Sequence, residues 1–334
     1  MPEVTLADGL ALVIVVALNA YVLLAGADYG GGVWDLLAGG PRRVRQRELI
    51  EHAIAPVWEA NHVWLILVIV LLFTCFPAAF SRLAITLHVP LTLLLFGIVL
   101  RGSAFVFRSY GNIDDRTQRR WGRVFAIAST VTPLLLGISL GTIATGRVTG
   151  GSEGGYHAAY VAPWLAPFPL ACGVLALALF AFLAAVYLTV EADGDGEVQE
   201  DFRKRALWAG AALFGAAMIT LIASGDAPRM REGLLQSTQA IGVQLMVAAA
   251  AITALLALWF RRWRIARVAA AGQATLMLWG WALAQYPDLL PGTLSIRQAA
   301  APAATLELVA GALALGALVL FPSLAYLFRV FKQR

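Results

Sequence analysis

Three ionisable residues lie inside or at the edge of long apolar segments, and their types could support proton chemistry: Asp28, Glu59 and Arg101. If such segments cross a bilayer, each charge is costly unless it faces protein or water, so it marks a functional or pairing site. A carboxylate shielded from water retains a proton more readily, whereas a nearby arginine favours the ionised form. These residues are therefore predicted to form a structural ion cluster or a proton-uptake route, and the two interpretations are compatible.

The segment around Glu59 reads APVWEANHVW over residues 55–64 and adds polar and aromatic neighbours. On a helix, Glu59 and His62 are three residues apart and share a face. A lone histidine within a membrane helix is more often a hydrogen-bonded packing residue, and the alternatives are haem ligation and proton transfer. Haem sites built within one chain usually need paired ligands. The four histidines and five methionines are scattered, so the sequence predicts no metal site in this chain.

The composition indicates a membrane protein. Of 334 residues, 60% are hydrophobic and 13% are charged, whereas soluble domains carry about 25% charged residues. A spanning helix needs about 20 mostly apolar residues. We therefore predict an all-α polytopic protein with about nine transmembrane helices, forming a single integral membrane domain over residues 1–334. The predicted spans are 9–27, 56–76, 80–107, 123–145, 164–190, 204–224, 238–260, 265–286 and 304–328.

The basic residues indicate how these spans are oriented. Most of the 25 lysines and arginines fall in alternate loops and at the C-terminus, and such loops face the cytoplasm. The N-terminus is then outside and the C-terminus is cytoplasmic. Because spans 1 and 3 run inward and span 2 runs outward, Asp28, Glu59 and Arg101 are all expected in the cytoplasmic half. The net charge of +5 follows from these loops and does not indicate nucleic-acid binding.

Two further patterns concern packing. The run from Gly26 to Gly32 lacks the preceding strand and the Lys-Ser/Thr pair of a phosphate-binding loop. Its small residues are instead expected to let a neighbouring helix approach closely. Tryptophans near the span ends are typical of the aromatic belt of a membrane protein; they are Trp34, Trp121, Trp164, Trp208 and Trp263.

Several of these segments together resemble subunit II of the cytochrome bd family of quinol oxidases. The resemblance covers the whole chain, both in its length and in the order of its segments. The Pro-x-Trp-acidic-x-Asn-x-x-Trp pattern is specific. The segments that carry it are GADYG (26–30), IAPVWEANHVWL (54–65), LRGSAFVFRS (100–109), GWALAQYP (280–287) and the final segment 322–332.

The resemblance implies a nine-helix subunit of two four-helix bundles and one peripheral helix, in the inner membrane of a prokaryote. It implies a homologous subunit I that holds two haems b, haem d or a variant of it, and the site where quinol supplies electrons to reduce oxygen to water. Subunit II would support subunit I and contribute a cytoplasmic proton-uptake route. Some complexes of this family also hold a structural quinone or small accessory membrane subunits.

Carried onto this sequence, the proton route of the family matches Asp28 and Glu59, with Arg101 beside them. Trp64 matches a position near a proposed oxygen entry. Two departures, Glu59-Ala60 in place of Asp-Gly and Tyr29 in place of Leu or Met, indicate a divergent branch and leave the electron donor and the third haem open. The supporting polar and aromatic positions are Trp58, Asn61, His62, Trp64 and Arg108.

Two other classes of membrane protein compete with this assignment. A proton-coupled transporter would also place carboxylates and an arginine in the membrane. Inverted repeats would support a transporter, and the sequence shows no internal repeat. A purely structural membrane scaffold is the third class. A haem spectrum of the purified complex would separate the oxidase from both alternatives.

Overall fold

The chain folds almost entirely into helices. The computed structural model describes residues 5–54, 58–110, 115–151, 155–235 and 238–332. It describes the backbone alone at residues 58–60, 108–110, 115, 238–239, 321, 324–325, 327–328 and 330–332. In chain order the elements are α1 (Leu6–Leu36), α2 (Arg43–Ile54), α3 (Trp58–Cys75), α4 (Pro77–Thr86), α5 (His88–Tyr110), α6 (Asp115–Ala144), α7 (Gly155–Tyr160), α8 (Pro167–Glu191), α9 (Gly196–Ala223), α10 (Pro228–Leu235), α11 (Thr238–Trp259), α12 (Trp263–Gln285), β1 (Asp288–Leu290), β2 (Leu294–Ser295), α13 (Ile296–Ala299) and α14 (Ala303–Lys332).

The number of helices that could cross a membrane is close to the prediction. Within the described ranges, seven helices are long and apolar enough, and α3 with α4 raises the number to eight if the bent pair is one span. The predicted span 265–286 corresponds to α12, which is 23 residues long but is not among these seven. Gln273, Gln285 and two arginines lower its mean hydropathy. Nine spans therefore remain a prediction, and so does the division into two bundles.

A sharp bend separates α3 from α4. The two helix axes differ by 117°, and Pro77 is the first residue of α4. The residue before a proline is disfavoured in the α conformation, and Phe76 accordingly leaves it, with φ −134° and ψ 56°. The predicted spans 56–76 and 80–107 are divided at this bend, but the second of them merged most of α4 with α5, which are separate helices. The spanning part of that segment begins instead at His88.

Helix α1 lies against α3, α6 and α8, and it is longer than predicted. It continues to Leu36, so that Asp28 lies two turns before its end. The glycine-rich run makes this central position possible, because a Cβ at Gly26 would lie 2.6 Å from Leu183 Cδ1 and one at Gly30 would lie 2.6 Å from Ala184 Cβ. The expectation that these small residues allow close helix packing is confirmed.

Trp34 does not belong to an aromatic belt, as the sequence suggested. Its side chain is 8% exposed, and Nε1 donates a hydrogen bond to the carbonyl oxygen of Ala181 in α8 at 2.8 Å. The indole therefore joins α1 to α8, and the guanidinium of Arg205 lies 5.5 Å from its ring centroid. Trp208, by contrast, is 75% exposed, as expected for a residue that faces lipid.

Ion pairs fix α2 against the start of α9. Arg42 pairs with Asp201 at 2.6 Å, and Gln46 Nε2 donates to the same carboxylate at 2.8 Å. Arg45 pairs with Asp195 and lowers the pKa of that carboxyl by hydrogen bonding, so Asp195 remains ionised to lower pH. Such exposed pairs each contribute little, so α2 is held by their number and by the burial of Ile50 and Ile54.

Helix α14 lies at the edge of the fold. Only 6% of its apolar 18-residue window is buried, and Leu308, Leu315 and Leu318 are each more than two-thirds exposed. This is the position expected of a peripheral membrane helix.

Candidate functional site

Asp28 and Arg101 form a buried ion pair between α1 and α5. Arg101 Nη2 donates to Asp28 Oδ1 and also to the carbonyl oxygen of the same residue, at 3.3 Å. Asp28 is 0% exposed and Arg101 is 1% exposed, so neither charge is solvated by bulk water. The prediction from topology that these two residues meet is therefore confirmed for this pair.

Asn61 connects this ion pair to α3. Its Nδ2 donates to Asp28 Oδ2 at 2.6 Å, and the residue is fully buried. Both carboxylate oxygens of Asp28 are thus engaged, one by a guanidinium and one by an amide. These two hydrogen bonds fix the carboxylate between α3 and α5.

The guanidinium of Arg101 is enclosed on its remaining sides. Nε donates to Ser129 Oγ of α6 at 2.9 Å. The guanidinium carbon lies 4.6 Å from the ring centroid of Tyr29 and 4.9 Å from that of Phe125, distances that are typical of cation–π contacts. Four helices, α1, α3, α5 and α6, therefore contribute to one charged cluster.

Two polar atoms beside the cluster have no hydrogen-bond partner among the described residues. They are Asn61 Oδ1 and His62 Nδ1, and both are buried. Buried polar atoms in proteins are normally paired with protein or with ordered water. Both atoms lie on the turn of α3 that approaches Asp28. A water molecule bound at this turn would form hydrogen bonds with them.

The other predicted site residues are distributed differently. The side chains of Trp58, Glu59 and Arg108 lie outside the described part of the structure, although the backbone at all three is helical. Trp64 is described and packs between the two main hydrophobic clusters of the protein. The structure therefore brings Asp28, Asn61 and Arg101 together, with His62 next in sequence.

Ligands for a haem or a metal are not assembled by the side chains that the structure describes. No three histidine, cysteine, aspartate or glutamate residues cluster at metal-binding distance within those ranges. His88 is near other partners, with Nδ1 2.9 Å from the carbonyl oxygen of Ile85 and Nε2 3.4 Å from Tyr156 Oη. The side chains that the structure describes therefore do not provide the axial ligands of a haem.

Three residues of the cluster were missed by sequence reasoning: Ser129, Tyr29 and Phe125. Ser129 is one hydroxyl in a helix with several, and nothing in its neighbours distinguishes it. Tyr29 was noted in the sequence within the glycine-rich run and as a departure from the family pattern, and neither observation predicted its contact with Arg101. The signal that could have found them is their spacing, since Phe125 and Ser129 lie four residues apart and share one face of α6.

Comparison with known proteins agrees with the resemblance noted in the sequence. The profile of the family described as "Cytochrome bd terminal oxidase subunit II" matches residues 6–331. "Cytochrome bd ubiquinol oxidase subunit 2" of Bacillus subtilis (strain 168) is 27% identical over 136 residues, 40% of this chain and 39% of that protein. "Cytochrome bd-I ubiquinol oxidase subunit 2" of Escherichia coli (strain K12) is 29% identical over 136 residues, 40% of this chain and 35% of that protein.

These two alignments each span about two fifths or less of the relative's length. A solved structure of bd oxidase from Geobacillus thermodenitrificans contains a chain that is 22% identical, with 98% of this chain and 99% of that chain covered and a TM-score of 0.81. This second likeness supports the fold over nearly the full length. Because the family profile covers nearly all of the sequence, the chain belongs to the family of subunit II of cytochrome bd terminal oxidases.

Proposed function

We propose that this protein is a subunit of a membrane-bound quinol:oxygen oxidoreductase, in which it supports a homologous subunit I that carries the haems. The proposal is supported by the family and by the printed names of the relatives, two of which are ubiquinol oxidase subunits. Two haems b and haem d or a variant would lie in subunit I and supply the oxygen chemistry. The complex would lie in the inner membrane of a prokaryote, with the N-terminus of this chain outside and the C-terminus cytoplasmic.

We further propose that the cluster around Asp28 and Arg101 belongs to a cytoplasmic proton-uptake route. The observation that carries this proposal is the buried Asp28–Arg101 pair, which Asn61 joins to α3. In this scheme Asp28 holds the cluster together, because both of its oxygens are engaged. The carboxyl that exchanges protons is then Glu59, which precedes Asn61 by two residues on the same helix. Asn61 Oδ1 and His62 Nδ1 would hold the water that links the two.

The oxidase assignment is tested by the spectrum of the complex that purifies with this chain. We expect a reduced-minus-oxidised difference spectrum with haem b bands, together with oxygen consumption when a quinol is supplied. The same preparation from cells that lack the gene for this chain should lose both signals. A complex that contains the chain but no haem would contradict the proposal and favour a transporter or a scaffold.

The proton-uptake role is tested by Glu59→Gln. The substitution keeps the size of the side chain but removes its exchangeable proton, and we expect quinol-driven oxygen reduction to slow at least about tenfold with an unchanged haem content, the size of effect typical of losing a proton-transfer group. Glu48→Gln is the matched control, since Glu48 is an exposed carboxylate of α2 and its loss should leave the rate unchanged. Equal rates in the two variants would exclude Glu59 from the route.

A further inference from the structure

Four arginines lie along one face of the first turns of α6. Their spacing of i, i+3, i+4 and i+7 places them on the same side of the helix, and all four side chains are exposed: Arg116, Arg119, Arg120 and Arg123. We call this surface the α6 arginine face. It is not part of the cluster around Asp28, whose α6 contacts begin at Phe125.

The α6 arginine face differs from the other basic surfaces at the same end of the protein. Arginines at the start of α2 and of α12 are paired with carboxylates, as in Arg42–Asp201, Arg45–Asp195 and Arg267–Glu191. For the four arginines of α6, no ion pair or hydrogen bond to another side chain is present in the described ranges. Even with Asp114 and Asp115 counted, the segment 114–123 keeps a net charge of +2.

The dipole of α6 also favours an anion near the N-terminus of the helix. The N-terminus of an α-helix carries a positive partial charge, which favours anions and disfavours cations in the first turn. The four arginines repel one another, and Arg116, in the first turn of α6, is also opposed by the helix dipole. A bound anion removes both unfavourable interactions, and the planar guanidinium groups match the geometry of a phosphate.

Aromatic residues indicate the depth of this face relative to a bilayer. The rings of Phe107 and Trp121 stack with centroids 4.8 Å apart, and Phe107 is 47% exposed. Aromatic residues of this kind concentrate at the level of lipid headgroups. The apolar run of α6 starts directly after Arg123, at Val124. The four guanidinium groups thus lie where a membrane-spanning helix leaves the hydrocarbon and enters the headgroup region.

We propose that the α6 arginine face binds the phosphate headgroups of anionic phospholipids at the bilayer surface. The charge of the face, the lack of counter-ions among the side chains that the structure describes and the position at the start of an apolar helix all fit this ligand. Clusters of basic residues next to a membrane helix attract anionic lipids by about 1 kcal/mol for each residue. The proposal does not depend on the oxidase assignment, because it uses only the surface and the membrane location of the chain.

The test is a lipid titration of the purified complex that contains this chain. Dimyristoyl phosphatidylglycerol and dimyristoyl phosphatidylcholine are added separately, and bound lipids are counted by native mass spectrometry. We expect Arg119→Gln/Arg120→Gln to need about thirtyfold more phosphatidylglycerol for half-saturation than the wild type, with phosphatidylcholine unaffected. The control Arg43→Gln/Lys204→Gln removes two exposed charges from separate elements and should stay within about twofold of the wild type.

Three outcomes would overturn the proposal. The first is equal phosphatidylglycerol binding by the wild type and the α6 double variant. The second is an equal loss in the control variant, which would show that net charge and not this face attracts the lipid. The third is the loss of a co-purifying protein with unchanged lipid binding, which would make the face a protein contact. If the double variant does not accumulate, each single variant is titrated, with a shift of about fivefold expected.

Discussion

Arg101→Met is expected to lower the free energy of unfolding by about 3 to 5 kcal/mol, the size of effect measured when one partner of a buried ion pair is removed. The substitution leaves Asp28 as an unpaired charge at a site with 0% exposure. It also removes the hydrogen bond to Ser129 and the two cation–π contacts, so α5 loses its polar attachment to both α1 and α6. Thermal unfolding of the purified complex, followed by size-exclusion chromatography after heating, measures the loss.

Two further variants separate charge from packing. Arg101→Lys keeps the charge and should lose less stability, because an ammonium can still pair with Asp28 but does not reproduce the planar contacts. The double variant Asp28→Asn/Arg101→Met removes both charges and should recover at least half of the loss, since no buried charge is left unpaired. A double variant that is no more stable than Arg101→Met would contradict this account of the cluster.

Gly30→Ala is expected to have the second-largest effect on stability, a loss of about 1 to 3 kcal/mol or more. The added methyl group would run into the carbonyl oxygen of Phe180 and would lie 2.6 Å from Ala184 Cβ. The nearest obstacle is backbone, which does not rotate away as a flexible side chain does. Helices α1 and α8 would therefore have to separate, and the melting temperature of the complex measures the result.

Gly9→Ala is the matched control for this prediction. Gly9 lies in the same helix, and a Cβ there would meet nothing within 4 Å. Alanine is favoured over glycine in helices by about 1 kcal/mol, so this variant should be as stable as the wild type or slightly more stable. If both glycine variants lose stability equally, the close approach of α1 to α8 is not the cause.

The sequence predicted the part of the charged cluster that depends only on the topology of the spans. Alternating spans put Asp28 and Arg101 at one depth, and two opposite charges in an apolar region have a strong reason to meet. Ser129 and Phe125 could not be found in this way, because their contribution depends on the rotation of α6 about its axis. That rotation is set by packing against α1 and α8, and many apolar residues would satisfy it equally.

The remaining differences have similar physical causes. Hydropathy separated the spans at Pro77 but joined α4 to α5, because the residues on both sides of Leu87 are apolar. Trp34 was assigned to the membrane surface because it lies near the end of an apolar run, but α1 continues past that run and the indole is covered by α8. The end of an apolar run is a reliable guide to the edge of the hydrocarbon, and a weaker guide to the end of a helix.

The ion pair between α1 and α5 also constrains how the chain enters the membrane. Asp28 and Arg101 are 73 residues apart in sequence. At a synthesis rate of about 5 to 20 residues per second, roughly 4 to 15 seconds pass between their emergence from the ribosome. For those seconds the first helix carries a carboxylate without its counter-ion. Until α5 arrives, we therefore expect α1 to need another protein or water partner for Asp28 in place of Arg101.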